Sequence, residues 1–411
     1  MNTIITNARA LTLDGPAGPR RGKAMSNLAI KERVDIVIRG EWIVSIGESL
    51  TIGPGDRMID ARGNIVMPGL VDCHTHACFA GSRIDEWEKK LAGATYQEIM
   101  AAGGGIMSTV KATRAASRAE LSASLASRLS RMLSLGSTTV EVKSGYGLTA
   151  KGEAHMLDAI SDVQLAQRHT KRRSLPNLIE TALLGHAIDP DMDDFVHRTI
   201  HDTLPAISKA HPGIAVDAFC EKGSWSQQEC WELFNRAKAL GHPIRVHTDQ
   251  FTSLGMTPAA ASLGARSCDH LEASTPADLA ALAASDTIGV ALPCCGFHLD
   301  GRYAKLRTLI DSGGAAAVAT NFNPGSAPCP SMPFALCLAV RHCGLTPAEA
   351  IIAGTVNAAA VLGLSDRGVI APGKRADLLI LNNKDWRSLV YEFGAPVVSK
   401  VLIGGEELSV D

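Results

Sequence analysis

Residues 66–76 read Val66-Met67-Pro68-Gly69-Leu70-Val71-Asp72-Cys73-His74-Thr75-His76. This run predicts a short buried strand that ends in two histidines one residue apart. Because side chains alternate across a strand, His74 and His76 should point the same way, and Asp72 shares their face. Two imidazoles on one face at a strand end can bind one metal ion. The rest of the chain would then have to supply further ligands and a substrate pocket.

From residue 66 onwards, short apolar runs alternate with helix-like sequence such as 118–135, 226–240 and 275–284. Eight such runs over roughly 300 residues fit a (β/α)₈ TIM-like barrel with a parallel sheet. A doubly wound sheet is the alternative, but no Gly-x-Gly-x-x-Gly follows the first strand. The eight predicted strand segments are 66–76, 138–145, 178–186, 214–220, 243–249, 265–272, 287–294 and 315–323.

The two ends of the chain share a β-rich texture that the middle lacks. Short apolar or alternating runs there are separated by Gly, Pro and Asp turns, which is typical of strands. We therefore predict a small composite β-sandwich domain formed by residues 1–66 and 367–411, with the barrel at 67–366. The predicted terminal strand runs lie within 3–13, 35–46, 58–65, 369–382 and 396–407, and 16–31 reads as a loop.

Composition excludes several classes of protein. The 411 residues are 46% hydrophobic and 20% charged, with a formal net charge of −2, which argues against a nucleic-acid or membrane-surface partner. We expect no signal peptide, and no apolar run reaches the ~18 residues of a transmembrane helix. Ten cysteines without paired Cys-x-x-Cys sets indicate reduced core thiols in a cytoplasmic protein.

Polar residues end several of the predicted strands, and in a (β/α)₈ barrel that end of the strands carries the active site. His186 ends the third run, His247 lies in the fifth, His270 in the sixth and Asn321 in the eighth. A single histidine at a strand end is usually an ordinary hydrogen-bonded residue. A His-x-His pair combined with His247 and His270 instead predicts a metal site.

The chemistry of such a site is hydrolytic. A metal held by neutral histidines would lower the pKa of a bound water from roughly 15.7 to around 7 and could polarise a carbonyl oxygen. Amides, imines or esters are hydrolysed once a base or proton shuttle is present. A carboxylate from the last strand would normally be the fourth ligand and proton acceptor. Asn321 fills that place, and an amide cannot accept a proton at neutral pH.

Residues 68–76 resemble the signature of the amidohydrolase superfamily, as do the terminal β domain and its turn at 372–378. A narrower resemblance, to the imidazolonepropionase family, covers nearly the whole chain. It implies hydrolytic opening of the small molecule 4-imidazolone-5-propanoate to N-formimidoyl-L-glutamate in histidine degradation. The segments that carry it are FAGSR at 79–83, GATYQEI at 93–99, AGGGI at 102–106, EVKSGYGL at 141–148 and FNPGS at 322–326.

The resemblance also implies roles for individual residues and a homodimer. His270 would orient the reactants or shuttle protons, and Arg83 would pair with the propionate, a bidentate task that suits arginine. One zinc or iron ion per subunit would be bound by His74, His76, His247 and Asn321. The other substrate contacts would be Tyr96, Tyr146, His186, Gln250, Asn323, Gly325 and Ser326.

Two positions depart from the family's pattern. Many relatives have Glu at position 250, whereas Gln250 cannot act as a general base. The family has Asp where this chain has Asn321, which keeps the shape but loses the charge and the basicity. We therefore predict a site that still binds its ligand but turns over slowly or not at all.

Two other interpretations stay open at this point. One is another amidohydrolase-superfamily hydrolase or deaminase, including a two-metal hydantoinase-like enzyme, for which Lys143 is the one candidate bridging lysine. The other is a binding-only protein with a catalytically dead site, which Asn321 favours. Histidine ligands accept zinc and iron alike, so the residues do not select the metal.

Overall fold

The computed structural model describes residues 2–50, 52–94, 98, 103–169 and 174–408. Its strands form two sheets, one from the middle of the chain and one from both ends. In chain order the strands are β1 (Thr3–Leu11), β2 (Ile30–Arg39), β3 (Trp42–Gly47), β4 (Arg57–Asp60), β5 (Ile65–Pro68), β6 (Leu70–Asp72), β7 (Ser137–Lys143), β8 (Asn177–Gly185), β9 (Ala215–Cys220), β10 (Val246–Thr248), β11 (Ser267–His270), β12 (Ile288–Ala291), β13 (Ala316–Val318), β14 (Leu378–Leu381), β15 (Val398–Ile403) and β16 (Glu406–Leu408).

Helices follow most of the barrel strands. The described chain also contains a 3₁₀ turn at Gly22–Ser26 and a π-helical turn at Thr199–Thr203. The α-helices are α1 (Ile84–Leu91), α2 (Ile106–Ala115), α3 (Arg118–Ser134), α4 (Ala150–His169), α5 (Phe195–Arg198), α6 (Leu204–Ala210), α7 (Gln227–Ala239), α8 (Met256–Ser262), α9 (Pro276–Ala283), α10 (Pro293–His298), α11 (Leu306–Asp311), α12 (Met332–His342), α13 (Pro347–Ala353), α14 (Val356–Val361) and α15 (Ser388–Tyr391).

Strands β6 to β13 form the parallel barrel sheet, and each of them neighbours the next in chain order. Its two edges meet beyond the strands, where Thr75 and Phe322 form a parallel bridge. The His76 N–H donates to the Phe322 carbonyl at 2.9 Å. This order and near closure confirm the predicted (β/α)₈ barrel and exclude the doubly wound alternative, whose strand order reverses at a switch point.

The second sheet has the order β16-β15-β14-β5-β1-β2-β3, with β4 paired to β1. Strand β5 pairs antiparallel with β14, so that Met67 lies opposite Leu379. The two ends of the chain therefore build one β unit together, as the sequence predicted, and its described strands form a single mixed sheet. The division into residues 1–66 plus 367–411 and 67–366 stays a prediction.

The run at 66–76 was predicted as one strand, and this detail was wrong. Strand β5 ends at Pro68 in the terminal sheet, and β6 begins at Leu70 in the barrel. Between them the Gly69 N–H donates to the Asp377 carbonyl at 2.8 Å. A Cβ atom at position 69 would lie 2.0 Å from Thr138 Oγ1. The backbone therefore passes from one sheet to the other at a place that only glycine fits.

Gly69→Ala is expected to lower the free energy of unfolding by about 1–3 kcal/mol, the usual cost of overpacking a core. Denaturant titration of the variant and the parent protein measures this difference. Adding Thr138→Ala should recover part of the loss, because it removes the Oγ1 and Cγ2 atoms that the new methyl group meets. Equal stability of Gly69→Ala and the parent would contradict the assigned close approach.

Three of the predicted helices begin where the sequence places a capping box. Ser117, Ser226 and Thr275 each accept the backbone N–H of the acidic residue three positions later, at the start of α3, α7 and α9. That acidic side chain bonds back to the cap, so two otherwise unpaired donors are satisfied at each helix end. These local signals explain why the predicted ranges agree with the observed ones to within one residue at each end.

The composition predicted reduced cysteines in the core and no transmembrane helix. All ten cysteines lie within the described ranges, and none forms a disulfide. Nine of them are buried, as expected for core residues, and Cys329 is half-buried. Across the part of the chain that the structure describes, no helix is both long and apolar enough to span a bilayer.

Candidate active site

Three histidines converge at the carboxyl end of the barrel strands. His74 and His76 follow β6, and His247 lies within β10. One ring nitrogen of each lies within 4.8 Å of the other two. All three side chains are buried, and the His74 and His247 ring centroids are 4.4 Å apart. The structure thus brings together the three histidines that the sequence proposed as metal ligands.

Buried carboxylates orient two of these rings. Asp269 Oδ2 lies 2.6 Å from His74 Nδ1, and Asp217 Oδ1 lies 3.1 Å from His247 Nδ1. A carboxylate on one ring nitrogen fixes the tautomer and leaves the opposite nitrogen as a lone-pair donor to a metal. The two aspartates therefore hold the His74 and His247 rings in orientations that suit metal binding.

The unpartnered atoms of the cluster fit a metal ion. His74 Nε2, His76 Nδ1 and Asn321 Oδ1 are buried and have no hydrogen-bond partner among the described residues, although buried polar atoms normally have one. His76 Nε2 and His247 Nε2 face each other at 3.2 Å. Burial, and then nearby positive charge, lowers the pKa of His74 and His76 well below the usual value. Neutral imidazoles of this kind are the form that binds divalent metals.

Asn321 lies beside the histidines, just after β13. Its N–H donates to the His74 carbonyl at 3.0 Å, and its φ of 58° is left-handed. Asparagine and aspartate tolerate that conformation better than other residues with a Cβ atom. The position can thus offer an amide oxygen to the cluster, and the backbone would accept aspartate without rearrangement.

A cavity of about 430 Å³ adjoins the cluster and joins it to the proposed substrate contacts. His74 is not among the residues that line the cavity, and the proposed contact Tyr96 lies outside the described residues. The proposed residues that line the cavity are His76, Arg83, Tyr146, His186, His247, Gln250, His270, Asn321, Asn323, Gly325 and Ser326.

Arg83 reaches this cavity with its guanidinium held in place. Its Nε and Nη2 donate to the Glu86 carboxylate at 2.6 and 2.5 Å. Burial acts to raise the pKa of Glu86, but hydrogen bonds from Arg83 and the Gly105 N–H outweigh it and lower that pKa to about 2. A Cβ atom on Gly325 would lie 3.0 Å from Arg83 Nη1, so the glycine leaves room for the guanidinium.

One wall of the cavity consists of planar rings. The His186 ring stacks on His76 with centroids 4.9 Å apart, and the Tyr146 ring centroid lies 5.0 Å from that of His186. His186 Nδ1 lies 3.0 Å from the Gly145 carbonyl, which assigns the proton to Nδ1 and leaves Nε2 as an acceptor. Burial lowers the pKa of His186 to about 3, so the ring is neutral. Such a wall suits a flat ligand ring.

Asn323 organises the loop that follows β13. Its Oδ1 accepts from the Gly325 and Ser326 N–H groups at 2.8 and 2.7 Å. Its Nδ2 donates to the Asn321 carbonyl at 2.7 Å. The side chain therefore couples the position of Asn321 to the loop that faces Arg83.

Sequence reasoning missed a network of buried charges beneath the histidines. Lys143 Nζ donates to Glu141 Oε1 at 2.7 Å and to Asp217 Oδ2 at 2.8 Å. Arg245 donates to Glu141 Oε1 at 3.1 Å and to Asp269 Oδ2 at 2.7 Å. Three carboxylates therefore share two cations beneath the histidine cluster.

A signal for this network was present in the sequence. Charged residues interrupt otherwise apolar barrel strands, as Asp217 does within Ala215–Cys220. Glu141 and Lys143 are two positions apart, so they share a face of β7. Alternation does not say which face points into the barrel. Lys143 was the candidate bridging lysine of a two-metal site. In the structure its ammonium group instead pairs with the carboxylates of Glu141 and Asp217.

A nearly closed parallel barrel with a histidine cluster at its carboxyl end and a sheet made from both chain ends defines an amidohydrolase. The chain matches the Amidohydrolase family over residues 65–408. It is 44% identical to the imidazolonepropionase of Deinococcus radiodurans over 406 residues, which cover 99% of each chain. It is 42% identical to that of Herpetosiphon aurantiacus over 417 residues, covering 98% of this chain and 96% of the relative. The chain therefore belongs, within the amidohydrolases, to the imidazolonepropionase family.

Solved structures share the fold at much lower identity. The 5-methylcytosine deaminase from Klebsiella pneumoniae liganded with 5-fluorocytosine has a TM-score of 0.75 and 16% identity, covering 99% of this chain and 97% of that one. A mutant of atrazine chlorohydrolase from Arthrobacter aurescens TC1, complexed with zinc and atraton, has a TM-score of 0.68 and 18% identity, covering 99% and 95%. At such identity these likenesses support the architecture alone.

Proposed function

We propose that this chain hydrolyses the cyclic amide 4-imidazolone-5-propanoate to N-formimidoyl-L-glutamate. The observation that carries the proposal is one cavity lined both by neutral histidines of the cluster and by Arg83. A flat ring can lie against His186 and the cluster while its propionate reaches the guanidinium. Membership of the imidazolonepropionase family supports the same substrate.

The metal is proposed to be one zinc or iron ion per subunit, bound by His74, His76, His247 and Asn321. When bound, such an ion lowers the pKa of water and polarises a carbonyl oxygen. The support is the set of buried, unpartnered ligand atoms and the aspartates behind His74 and His247. Imidazole ligands accept either metal.

The other residues bind the substrate and handle protons. Arg83 binds the propionate, and His186 Nε2 and the Tyr146 hydroxyl position the ring. Gln250 and the loop of Asn323, Gly325 and Ser326 hold the remaining polar atoms of substrate or product. His270 Nδ1 lies 3.2 Å from Glu272 Oε1, so the opposite nitrogen of this imidazole is the one that exchanges protons in the cavity.

Arg83→Met is expected to raise the KM for 4-imidazolone-5-propanoate by about 10–100-fold, because a hydrogen bond to a charged group contributes about 1.5–3 kcal/mol. Steady-state kinetics of the metal-loaded protein, with N-formimidoyl-L-glutamate as the detected product, measures this. An analogue with a propyl group in place of the propionate should show no such difference.

Lys90→Met is the matched control for the Arg83 variant. Lys90 also lines the cavity and pairs with Glu86 at 3.2 Å. Its removal therefore takes a cation from the cavity but leaves the Arg83 guanidinium, which is the group proposed to bind the substrate's propionate. A KM increase as large in Lys90→Met, or an equal effect of Arg83→Met on the propyl analogue, would contradict the assignment of Arg83.

A second function, ligand binding without turnover, is favoured by one observation. Positions 250 and 321 both carry amides, which cannot accept a proton from water at neutral pH. Gln250 Nε2 donates to Cys295 Sγ at 3.3 Å, and Asn321 contributes an unpartnered Oδ1. Titration with N-formimidoyl-L-glutamate alongside a hydrolysis assay separates the two functions. Tight binding with no turnover, even after Asn321→Asp, would support binding alone.

The setting we propose is a cytoplasmic homodimer. Ten unpaired cysteines in a chain without a disulfide suit a reducing compartment. The homodimer rests on the family resemblance of the sequence, and sedimentation of the full-length chain tests it.

A further inference from the structure

A second group of metal-ligating side chains lies beside the first. His270 ends β11, Glu272 follows two residues later, and Cys295 lies in the short helix Pro293–His298. One ligand atom of each lies within 4.8 Å of the other two. The group is separate from the cluster of His74, His76 and His247, although the His270 and His247 ring centroids are only 5.6 Å apart.

Glu272 is the residue that points to a bound cation. Its side chain is 5% exposed, and Oε1 lies 3.2 Å from His270 Nδ1. Its Oε2 is buried and has no hydrogen-bond partner within the described chain. Burying a carboxylate oxygen without a partner is costly unless a cation compensates its charge. The free oxygen therefore leaves room for one more positively charged group.

Cys295 determines which metal ions this group of side chains would prefer. The thiol is buried and accepts a hydrogen bond from Gln250 Nε2 at 3.3 Å. Burial raises the pKa of the Cys295 thiol, whereas a coordinating metal deprotonates a thiol outright. Cysteine, histidine and glutamate are all ligands of zinc. A thiolate selects zinc-like ions over magnesium or calcium.

We propose that His270, Glu272 and Cys295 form a second metal site that binds a zinc-like divalent ion. Binding breaks the Cys295 S–H bond, releases the proton to water and forms a metal–sulfur bond, with no change of oxidation state. A consequence rests on the proposed function: an ion held by His270 removes that imidazole from proton transfer, so excess zinc inhibits hydrolysis.

Cobalt(II) is the probe, because a cobalt–thiolate bond gives a near-ultraviolet charge-transfer band that imidazole and oxygen ligands do not give. The full-length protein is titrated with cobalt chloride under anaerobic conditions, and the band is followed. We expect it to grow as the second equivalent binds, to vanish in Cys295→Ser and to persist in Cys294→Ser. Cys294 is the matched control, a buried neighbour outside the group.

Glu272→Gln is the second variant and keeps the test valid if Cys295→Ser does not fold. It preserves the shape of the side chain and removes its charge, so the cobalt affinity measured from the band should fall at least about tenfold. The proposal would be overturned by the absence of a band in the parent protein, by a band that survives Cys295→Ser, or by an affinity unchanged in Glu272→Gln. Loss of the band in Cys294→Ser would overturn it as well. None of these readouts depends on hydrolysis.

Discussion

Asn321→Asp is expected to raise the kcat of this chain for 4-imidazolone-5-propanoate on the order of 100-fold, the lower range of what a positioned proton acceptor contributes. An aspartate at this position can accept a proton from the attacking water, whereas the amide cannot. It also adds the negative charge that the three neutral histidines lack. Steady-state kinetics on the metal-loaded variant and parent measures the gain, with metal content determined for both.

The surroundings of residue 321 can accept an aspartate without losing a contact. Asn321 Oδ1 has no hydrogen-bond partner among the described residues, so changing the amide to a carboxylate breaks no contact of that oxygen. The left-handed φ of 58° suits aspartate, and the bond from the residue 321 N–H to the His74 carbonyl uses only backbone atoms. The change therefore alters charge and basicity while preserving the shape of the site.

Asn323→Asp is the matched control for this gain. It places an acid two residues away, but it removes the Nδ2 donor that bonds the Asn321 carbonyl and Ser326. We expect no increase of kcat in that variant. Absence of any gain in Asn321→Asp itself would contradict the prediction that the amide limits turnover, and would direct attention to Gln250 or to the binding-only function.

Lys143→Met is expected to lower the free energy of unfolding by about 3–5 kcal/mol, the usual cost of removing one partner from a buried ion pair. Lys143 and its partners Glu141 and Asp217 are all fully buried. The substitution leaves two carboxylate oxygens without the cation they share. Denaturant titration of the metal-free protein gives the loss, and metal content gives a second readout, because Asp217 also orients His247.

Lys400→Met provides the comparison. Lys400 pairs with Glu407 in the terminal sheet, where its side chain is 40% exposed. Solvent-exposed pairs contribute about 0–1 kcal/mol, so this variant should remain close to the parent. A similar loss in the two lysine variants would mean that the barrel network is not what makes Lys143 important.

Much of the barrel was predictable because its signals are local. Each of the eight predicted segments overlaps a barrel strand, since buried parallel strands read as short apolar runs between helices. Helix starts followed from capping boxes, which need only four consecutive residues. The placement of His74 beside His76 was predicted from side-chain alternation, and the two histidines do converge although β6 already ends at Asp72.

Other features needed contacts that no short segment contains. The run at 66–76 divides between two sheets, because Gly69 packs against Thr138 from a different strand. Strand alternation placed Glu141 and Lys143 on one face but did not say that this face points into the barrel. Whether a polar residue at a strand end reaches the site depends on how the sheet closes.

The sequence by itself determined the repeat of strands and helices, the His-x-His pair and the amides at positions 250 and 321. Only the tertiary structure decided which buried side chains contact these residues. His74 meets Asp269 across 195 positions of the chain, and Cys295 is brought to Glu272 by the succession of neighbouring barrel strands. Local pattern specifies each element, but the partners of a buried charge are set by the closure of the barrel, which brings distant residues together.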